Sequence, residues 1–484
     1  MTETIVIKNV DNVYNKAICD NGISRELSEY LTFTVPGAKF TPKFRARVWD
    51  GKIRLLNLRN NHFYYGLNHR IEQFCKERNY NIEYESDFSN TEFSIVESKN
   101  FIKQIELPAE LSIRDYQLKT FIRCIRRNRS LVLSPTASGK SLIIYLLARY
   151  YNGRALVIVP TTSLVHQMAS DFKSYGAPKE FNIQKIFEGQ DQCPGGYDVT
   201  ISTWQSIYKN HKDWFDNFDL IIVDEAHQAQ AKSLVGIMEK TRDIKYKFGF
   251  TGTLSDSKCH EMVLEGLFGP ITKIVTTSEL MEKKFLSNLY IKCILLKYND
   301  DQCRFVSKMT YQDEMEWLFA NERRNRFIKN LALSLKGNTL LLFRYIDKHG
   351  IPLYNSILKE ADCPVYYVAG SVEGEAREEI RKIVETHDKS IIVASSGVFS
   401  TGVNIVNLHN IISTAPYKSK IRILQSIGRG LRISDKKLHC TLYDIADDLT
   451  WRHRKNFTLK HFEERVRIYN EEKFDYKLYR VNIK

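Results

Sequence analysis

The chain has 484 residues, 43% of them hydrophobic and 26% charged, with a formal net charge of +14. That length exceeds one ordinary core and predicts roughly three domains of a soluble globular protein. No stretch approaches the roughly 18–20 apolar residues of a membrane span. The start, MTETIVIKNV, lacks a signal-peptide pattern, so the expected location is the cytoplasm. Nine scattered cysteines without a CxxC pair argue against a disulfide framework and a zinc site. The positive surplus points to a polyanionic partner.

Residues 1–96 mix short alternating runs with turn residues and predict a small α+β module. Within it, residues 38–71 hold eight Lys or Arg against one acid, Asp50. The run 43–49 alternates, which predicts a strand with Lys43, Arg45, Arg47 and Trp49 on one face and Phe44, Ala46 and Val48 packed into the core. Asp50-Gly51 is a hairpin signal, with Lys52 and Arg54 on the return strand. Cations beside an aromatic suit phosphate contact with base stacking. A solvated strand face is the bland alternative. No base-edge reader is evident, so the module is expected to sense branches rather than sequence.

From 97 to 280, short apolar runs at 131–133, 155–159, 199–203, 220–223 and 248–250 alternate with helix-length segments. This is the signature of parallel strands in an α/β lobe. The first run leads into Ser134-Pro135-Thr136-Ala137-Ser138-Gly139-Lys140-Ser141, a small-residue loop opening a helix at 142–150. Backbone N–H groups of such a loop cradle phosphate oxygens at a helix N-terminus. Lys140 would reach the β- and γ-phosphates, and Ser141 would bind magnesium. A bare Gly-Lys-Ser is also an ordinary strand–turn–helix with a surface lysine. The run at 220–223, however, ends in Asp224-Glu225-Ala226-His227, placing two carboxylates where parallel sheets bind ligands. Asp224 would hold magnesium through water, and Glu225 would orient the attacking water. An acidic turn with Asp224 as a helix cap is the plain alternative, but it does not account for a phosphate loop upstream.

From 281 to 484 a second series of runs, at 339–343, 365–368, 391–394, 411–414 and 441–445, predicts a second α/β lobe. Arg429 and Arg432 lie three apart on one face of a predicted helix, where a planar guanidinium could stabilise charge on a transferring phosphoryl group. Residues 451–455 and 460–467 predict a basic amphipathic helix, either capping this lobe or flanking a duplex.

Taken in order, these motifs resemble those of superfamily 2 helicases of the DEAH-box type. Ile113-Arg114-Asp115-Tyr116-Gln117 resembles the adenine-reading segment, with Gln117 on the base edge and Arg114 on its face. Ser134 suits the first loop position of that family, whereas Ala137 departs from the commoner glycine. Segments 159–164 and 202–206, with Thr161, Thr162 and Thr203, resemble strand-gripping loops, and Thr251-Gly252-Thr253 the segment that couples hydrolysis to lobe movement. Segment 339–344, ending in Arg344, resembles a nucleic-acid contact of the second lobe. Segment 397–404, with Gly402 and Asn404, resembles the loop facing both ATP and nucleic acid, and 425–432, with Gln425, Arg429 and Arg432, the arginine-finger helix.

Over its whole length the chain resembles the recombination and repair helicases of T-even-like phages. The resemblance implies tandem RecA-like lobes at 97–280 and 281–484 behind the module, with ATP and Mg2+ as cofactors. It implies action on forks, four-way (Holliday) junctions and the RNA–DNA hybrids of R-loops, by a monomer in the host cytoplasm. The alternatives are the motor subunit of a nuclease complex, an RNA helicase of the DEAH type, and a strand-annealing or branch-binding protein with weak ATPase.

Overall fold

Apolar runs without alternation bury both faces of a strand, and most runs of the middle and C-terminal parts of the chain do so, the edge run 365–368 being only half-buried. The computed structural model describes residues 3–85, 91–135, 138–187, 193, 195–229, 231–252, 254, 260–369, 380, 383–384, 386–396, 407–416 and 439–483. Contact density divides it into two compact units, 1–134 with 139–274, and 275–484 with 135–138.

The first unit begins with β1 (Thr4–Asn9), β2 (Tyr14–Ile18), β3 (Thr32–Thr34), β4 (Lys52–Arg54), β5 (Leu56–Asn57), β6 (His62–Tyr64) and β7 (Asn81–Tyr84). They form a five-stranded mixed sheet in the order β5-β6-β2-β1-β7 and a separate antiparallel ribbon of β3 and β4. The strand expected at 43–49 is absent. Thr41 caps a single helical turn, Pro42–Arg45, with proline at its start, and Arg47 takes a left-handed φ of +55°. Both signals belong to helices and turns, and they override the alternation. The return strand β4 pairs with β3 instead. Phe44 and Val48 were expected in the core but are exposed, Val48 by 77%.

The first lobe is a parallel sheet of β8 (Arg129–Leu133), β9 (Ala155–Val159), β10 (Ile183–Ile186), β11 (Val199–Thr203), β12 (Leu220–Val223), β13 (Tyr246–Thr251) and β14 (Ile271–Lys273). Its order is β10-β11-β9-β12-β13-β8-β14. The helix expected at 142–150 runs Lys140–Tyr151, with 142–148 buried continuously. One apolar core runs from Ile5, Phe63 and Phe74 in the module to Leu131, Ile221 and Phe268 in the lobe. Polar contacts reinforce that seam. Arg70 and His69 pair with the buried Glu265, and Glu239 accepts from the Tyr14 and Tyr64 hydroxyls at 2.7 and 3.0 Å. The buried Lys247 and Arg129 donate to the Asn12 carbonyl at 2.9 and 2.6 Å.

The second unit is another parallel sheet: β15 (Asn288–Lys297), β16 (Thr339–Phe343), β17 (Val365–Val368), β18 (Ile391–Ser395), β19 (Asn410–Ser413), β20 (His439–Asp448) and β21 (Tyr476–Asn482). Its order is β17-β18-β16-β19-β20-β15-β21. Residues 451–455 form a turn rather than part of a helix. The helix Phe457–Glu471 takes in 460–467 and caps the lobe, with buried Arg465 paired to Asp444 at 2.9 Å.

Candidate nucleotide site and nucleic-acid contacts

The phosphate loop leaves β8 with its first residue tied to the sheet, since the Ser134 N–H donates to the Thr251 carbonyl at the end of β13 (2.9 Å). Ser138 Oγ donates to the Pro135 carbonyl (2.7 Å). Gly139 sits at φ +79°, and a Cβ there would lie 2.3 Å from Gln117 Nε2. Torsion and neighbour both demand glycine. Gln117 therefore lies against the loop, its Oε1 accepting from the Arg114 N–H (2.9 Å), while Arg114 Nη1 donates to the Tyr116 hydroxyl (2.9 Å). Of the two expected adenine-segment residues, Gln117 lies at the phosphate loop, and Arg114 is tied to it through its backbone N–H. Thr136, Ala137 and Thr253 lie outside the described residues.

Lys140 opens the helix and points its Nζ at Glu225 Oε1 (3.2 Å), with the Ser134 carbonyl at 3.5 Å. Glu225 adopts a left-handed φ of +48°, a strained state for a non-glycine residue of the kind held at functional sites. Asp224 caps no helix: its Oδ1 accepts from the Glu225 N–H (2.9 Å), and its own N–H donates to the Ile158 carbonyl of β9 (2.8 Å). Burial, and then the charge of Glu225, push the Asp224 carboxyl up to about 7, against the opposing pull of Lys140. A desolvated carboxylate of this kind gains from a nearby cation, and the oxygen-only donors Ser141 and Asp224 fit a hard one.

Two contacts here had no sequence signal. The Ser141 hydroxyl hydrogen-bonds with the Tyr175 hydroxyl at 2.7 Å. His227 Nδ1 lies 2.7 Å from Thr251 Oγ1 and 3.3 Å from Glu225 Oε2. Thr251 therefore touches the phosphate loop through its carbonyl and the acidic turn through its side chain.

The loops after the adjacent strands β9 and β11 share one sheet edge. Thr161 caps the helix Thr162–Ser174, its Oγ1 accepting from the Leu164 N–H (3.4 Å). Thr203 Oγ1 hydrogen-bonds with Ser206 Oγ (2.9 Å), and Gln205 Nε2 donates to the Pro160 carbonyl (3.4 Å), tying the two loops together. In the second unit Arg344 follows β16, donating to the Tyr311 hydroxyl (2.7 Å) with its guanidinium 5.3 Å from the Tyr345 ring centre. Gly402, Asn404, Gln425, Arg429 and Arg432 lie outside the described residues.

At the tip of the β3–β4 ribbon, Lys43, Arg45, Arg47, Lys52 and Arg54 are exposed and Trp49 is half-buried. The Trp49 indole N–H donates to the Lys52 carbonyl (2.9 Å) and Arg54 pairs with Asp50 (2.5 Å). Phe40, on the preceding turn, stands 67% exposed with Lys39 Nζ 5.4 Å from its ring centre.

Family models cover the chain in three pieces: "DNA helicase UvsW, N-terminal" at 4–85, "Type III restriction enzyme, res subunit" at 110–256, and "Helicase conserved C-terminal domain" at 322–434. The chain is 35% identical to the ATP-dependent DNA helicase uvsW of Enterobacteria phage T4, across 96% of this chain and 97% of that one. It is 23% identical to the DNA 3'-5' translocase XPB2 of Sulfurisphaera tokodaii, across 70% and 83%. The crystal structure of T4 UvsW matches the fold with a TM-score of 0.53 at 32% identity, covering all of both chains.

Proposed function

The chain belongs to the UvsW family of helicases, and on that premise we propose that it is an ATP-driven DNA motor for branched substrates. These are replication forks that it regresses, four-way junctions that it migrates and R-loops from which it strips RNA, in recombination, repair and recombination-dependent replication. The observation that carries the motor reading is the convergence of Lys140, Asp224 and Glu225 at one edge of the first parallel sheet.

In this reading the loop 134–141 cradles the triphosphate, with Arg114 and Gln117 beside the adenine and Lys140 on the β- and γ-phosphates. Ser141, giving up its Tyr175 contact, and Asp224 would hold Mg2+, which would supply neutralising charge at the phosphates. Glu225 leaves Lys140 when nucleotide enters and positions the attacking water. Gln425, Arg429 and Arg432 complete the site from the second lobe, with Gly402 and Asn404 in the loop facing nucleotide. Hydrolysis then depends on lobe closure, and Thr251, bonded to both the phosphate loop and His227, relays the nucleotide state.

The division into module 1–96 and lobes 97–280 and 281–484 assigns branch recognition to Lys43, Arg45, Arg47, Trp49, Lys52 and Arg54. Strand gripping falls to Thr161, Thr162, Thr203 and Arg344. The protein acts as a monomer in the host cytoplasm. ATPase activity measured with single-stranded, duplex, forked and four-way DNA and with RNA tests the reading. Strongest stimulation by forked and four-way DNA is expected; equal or stronger stimulation by RNA would reassign the substrate.

A further inference from the structure

The basic run 451–455 has no part in the nucleotide site, yet the structure holds it in a defined shape. Trp451 and Arg454 exchange backbone hydrogen bonds at 3.1 and 3.0 Å, so the chain doubles back tightly, with Arg452 at a left-handed φ of +52°. Buried polar groups fix this turn from beneath. Asn456 Oδ1 accepts from the Leu449 N–H (3.0 Å), and Asn456 Nδ2 donates to Glu314 Oε1 (2.9 Å) and to the Asp447 carbonyl (3.1 Å). Buried Glu314 also accepts from the N–H groups of Phe457 and Thr458, at 2.9 and 2.8 Å. The Trp451 ring packs with Leu449, Cys303, Val306 and Leu318.

On this fixed backbone Arg452, His453, Arg454 and Lys455 are exposed side by side. Among the described residues Arg452, His453 and Arg454 form no ion pair, while Lys455 pairs with Glu463. With Trp451, Lys460 and Ser307 they line an open cradle of about 680 Å³. The turn also adjoins the second lobe's expected nucleic-acid contact. It leads directly into Phe457 and His461, whose rings pack on Tyr311 at 6.0 and 5.3 Å, and Tyr311 in turn holds Arg344. The packed rings of Phe457, His461 and Tyr311 thus connect the helix that follows the turn to Arg344.

We propose that the 451–455 turn is a DNA-backbone clamp, in which Arg452, His453 and Arg454, with Lys460, contact successive phosphates of the DNA on which the motor acts. The occupant is a polyanion because several basic side chains are exposed together on one open surface, where a chain of phosphates can meet more than one of them. The contact is to phosphate rather than to base, because the exposed side chains lining the cradle are predominantly basic and Trp451 is half-buried with its ring packed on the Leu449 cluster. The clamp rests on the helicase reading above and adds a contact outside its motifs.

The test uses the full-length chain and a labelled four-way DNA junction, titrated by anisotropy across a range of NaCl concentrations. Arg452→Asn with Arg454→Gln respects the left-handed backbone, since Asn tolerates that region. This double variant should flatten the salt dependence by about two counterions' worth and weaken binding on the order of ten-fold at low salt. Arg452→Lys with Arg454→Lys should keep both properties, and all three proteins should share one thermal midpoint. Parental slope and affinity in the Asn/Gln variant would overturn the clamp, as would weaker binding with an unchanged slope. Equal loss in the lysine control would assign the turn to folding and overturn it too. A parent whose ATPase no DNA stimulates would instead remove the helicase reading itself.

Discussion

Lys140 and Glu225 face each other at 3.2 Å across the mouth of the phosphate loop. Each is largely shielded from water. Lys140→Ala should abolish DNA-stimulated hydrolysis. Glu225→Gln removes the lysine's resident partner, so ATP affinity should hold or rise while kcat falls on the order of 10²–10⁴-fold. Nucleotide binding measured beside turnover separates the two roles. A fall in affinity parallel to kcat would make Glu225 a binding residue.

Asp224 carries a prediction about pH. With its carboxyl raised to about 7 by burial beside Glu225, the folded state binds a proton that the unfolded chain, at about 3.9, has lost. Stability therefore falls as pH rises through that window. In the presence of a chelator, Asp224→Asn should raise the thermal midpoint at pH 8, and the gain should vanish near pH 4 even though the variant is inactive. A lower midpoint at pH 8 would contradict this account of the site.

The seam between module and first lobe has its own ionic key. Burial pushes the Glu265 carboxyl up, but hydrogen bonds from His69 and Arg70, with the charge of Arg70, outweigh it and hold the group below the usual carboxylate range. Glu265→Gln should destabilise the chain by about 1–2 kcal/mol near neutral pH, because it leaves the half-buried Arg70 with its longer pair to Glu261 at 3.8 Å. A depressed carboxylate contributes above its unfolded pKa and loses that contribution as pH falls through its folded one. The gap between parent and variant should accordingly close in acid. Urea midpoints at pH 7 and pH 4 measure it, and an equal gap at both would contradict the assignment.

At the ribbon tip, Arg45→Gln with Arg47→Asn removes two exposed cations while respecting the left-handed φ at Arg47. Binding to forks and junctions should weaken, with a salt slope flatter by about two counterions' worth. Stimulation of ATPase by branched DNA should drop further than stimulation by long single strands. Unchanged fork binding at moderate salt would mean that these arginines are merely solvated.

The strands lining the nucleotide site were legible because burial on both faces writes them as unbroken runs, such as 155–159 and 220–223. Strands with mixed patterns were not. Tyr476–Asn482 is an exposed edge strand in which aromatic, basic and aliphatic residues are mixed, and Ile183–Ile186 is a short edge strand. The alternation of 43–49 misled because Phe44 and Val48 have no core to fill; the Thr41-Pro42 pair, a helix start, was the better signal. Lys140, Asp224 and Glu225 were legible from local spacing. The Tyr175 contact with Ser141 was not, because nothing local marks a tyrosine that reaches across from the end of another helix.

The central claim, an ATP-driven motor that remodels branched DNA, is tested most directly with a mobile four-way junction resolved on a native gel. With ATP and Mg2+ the parent protein should convert the junction to its migrated duplex products. With a non-hydrolysable analogue, or with Lys140→Ala, the junction should be bound but left intact. Conversion without hydrolysis, or efficient DNA-stimulated hydrolysis with no conversion of any branched substrate, would contradict it.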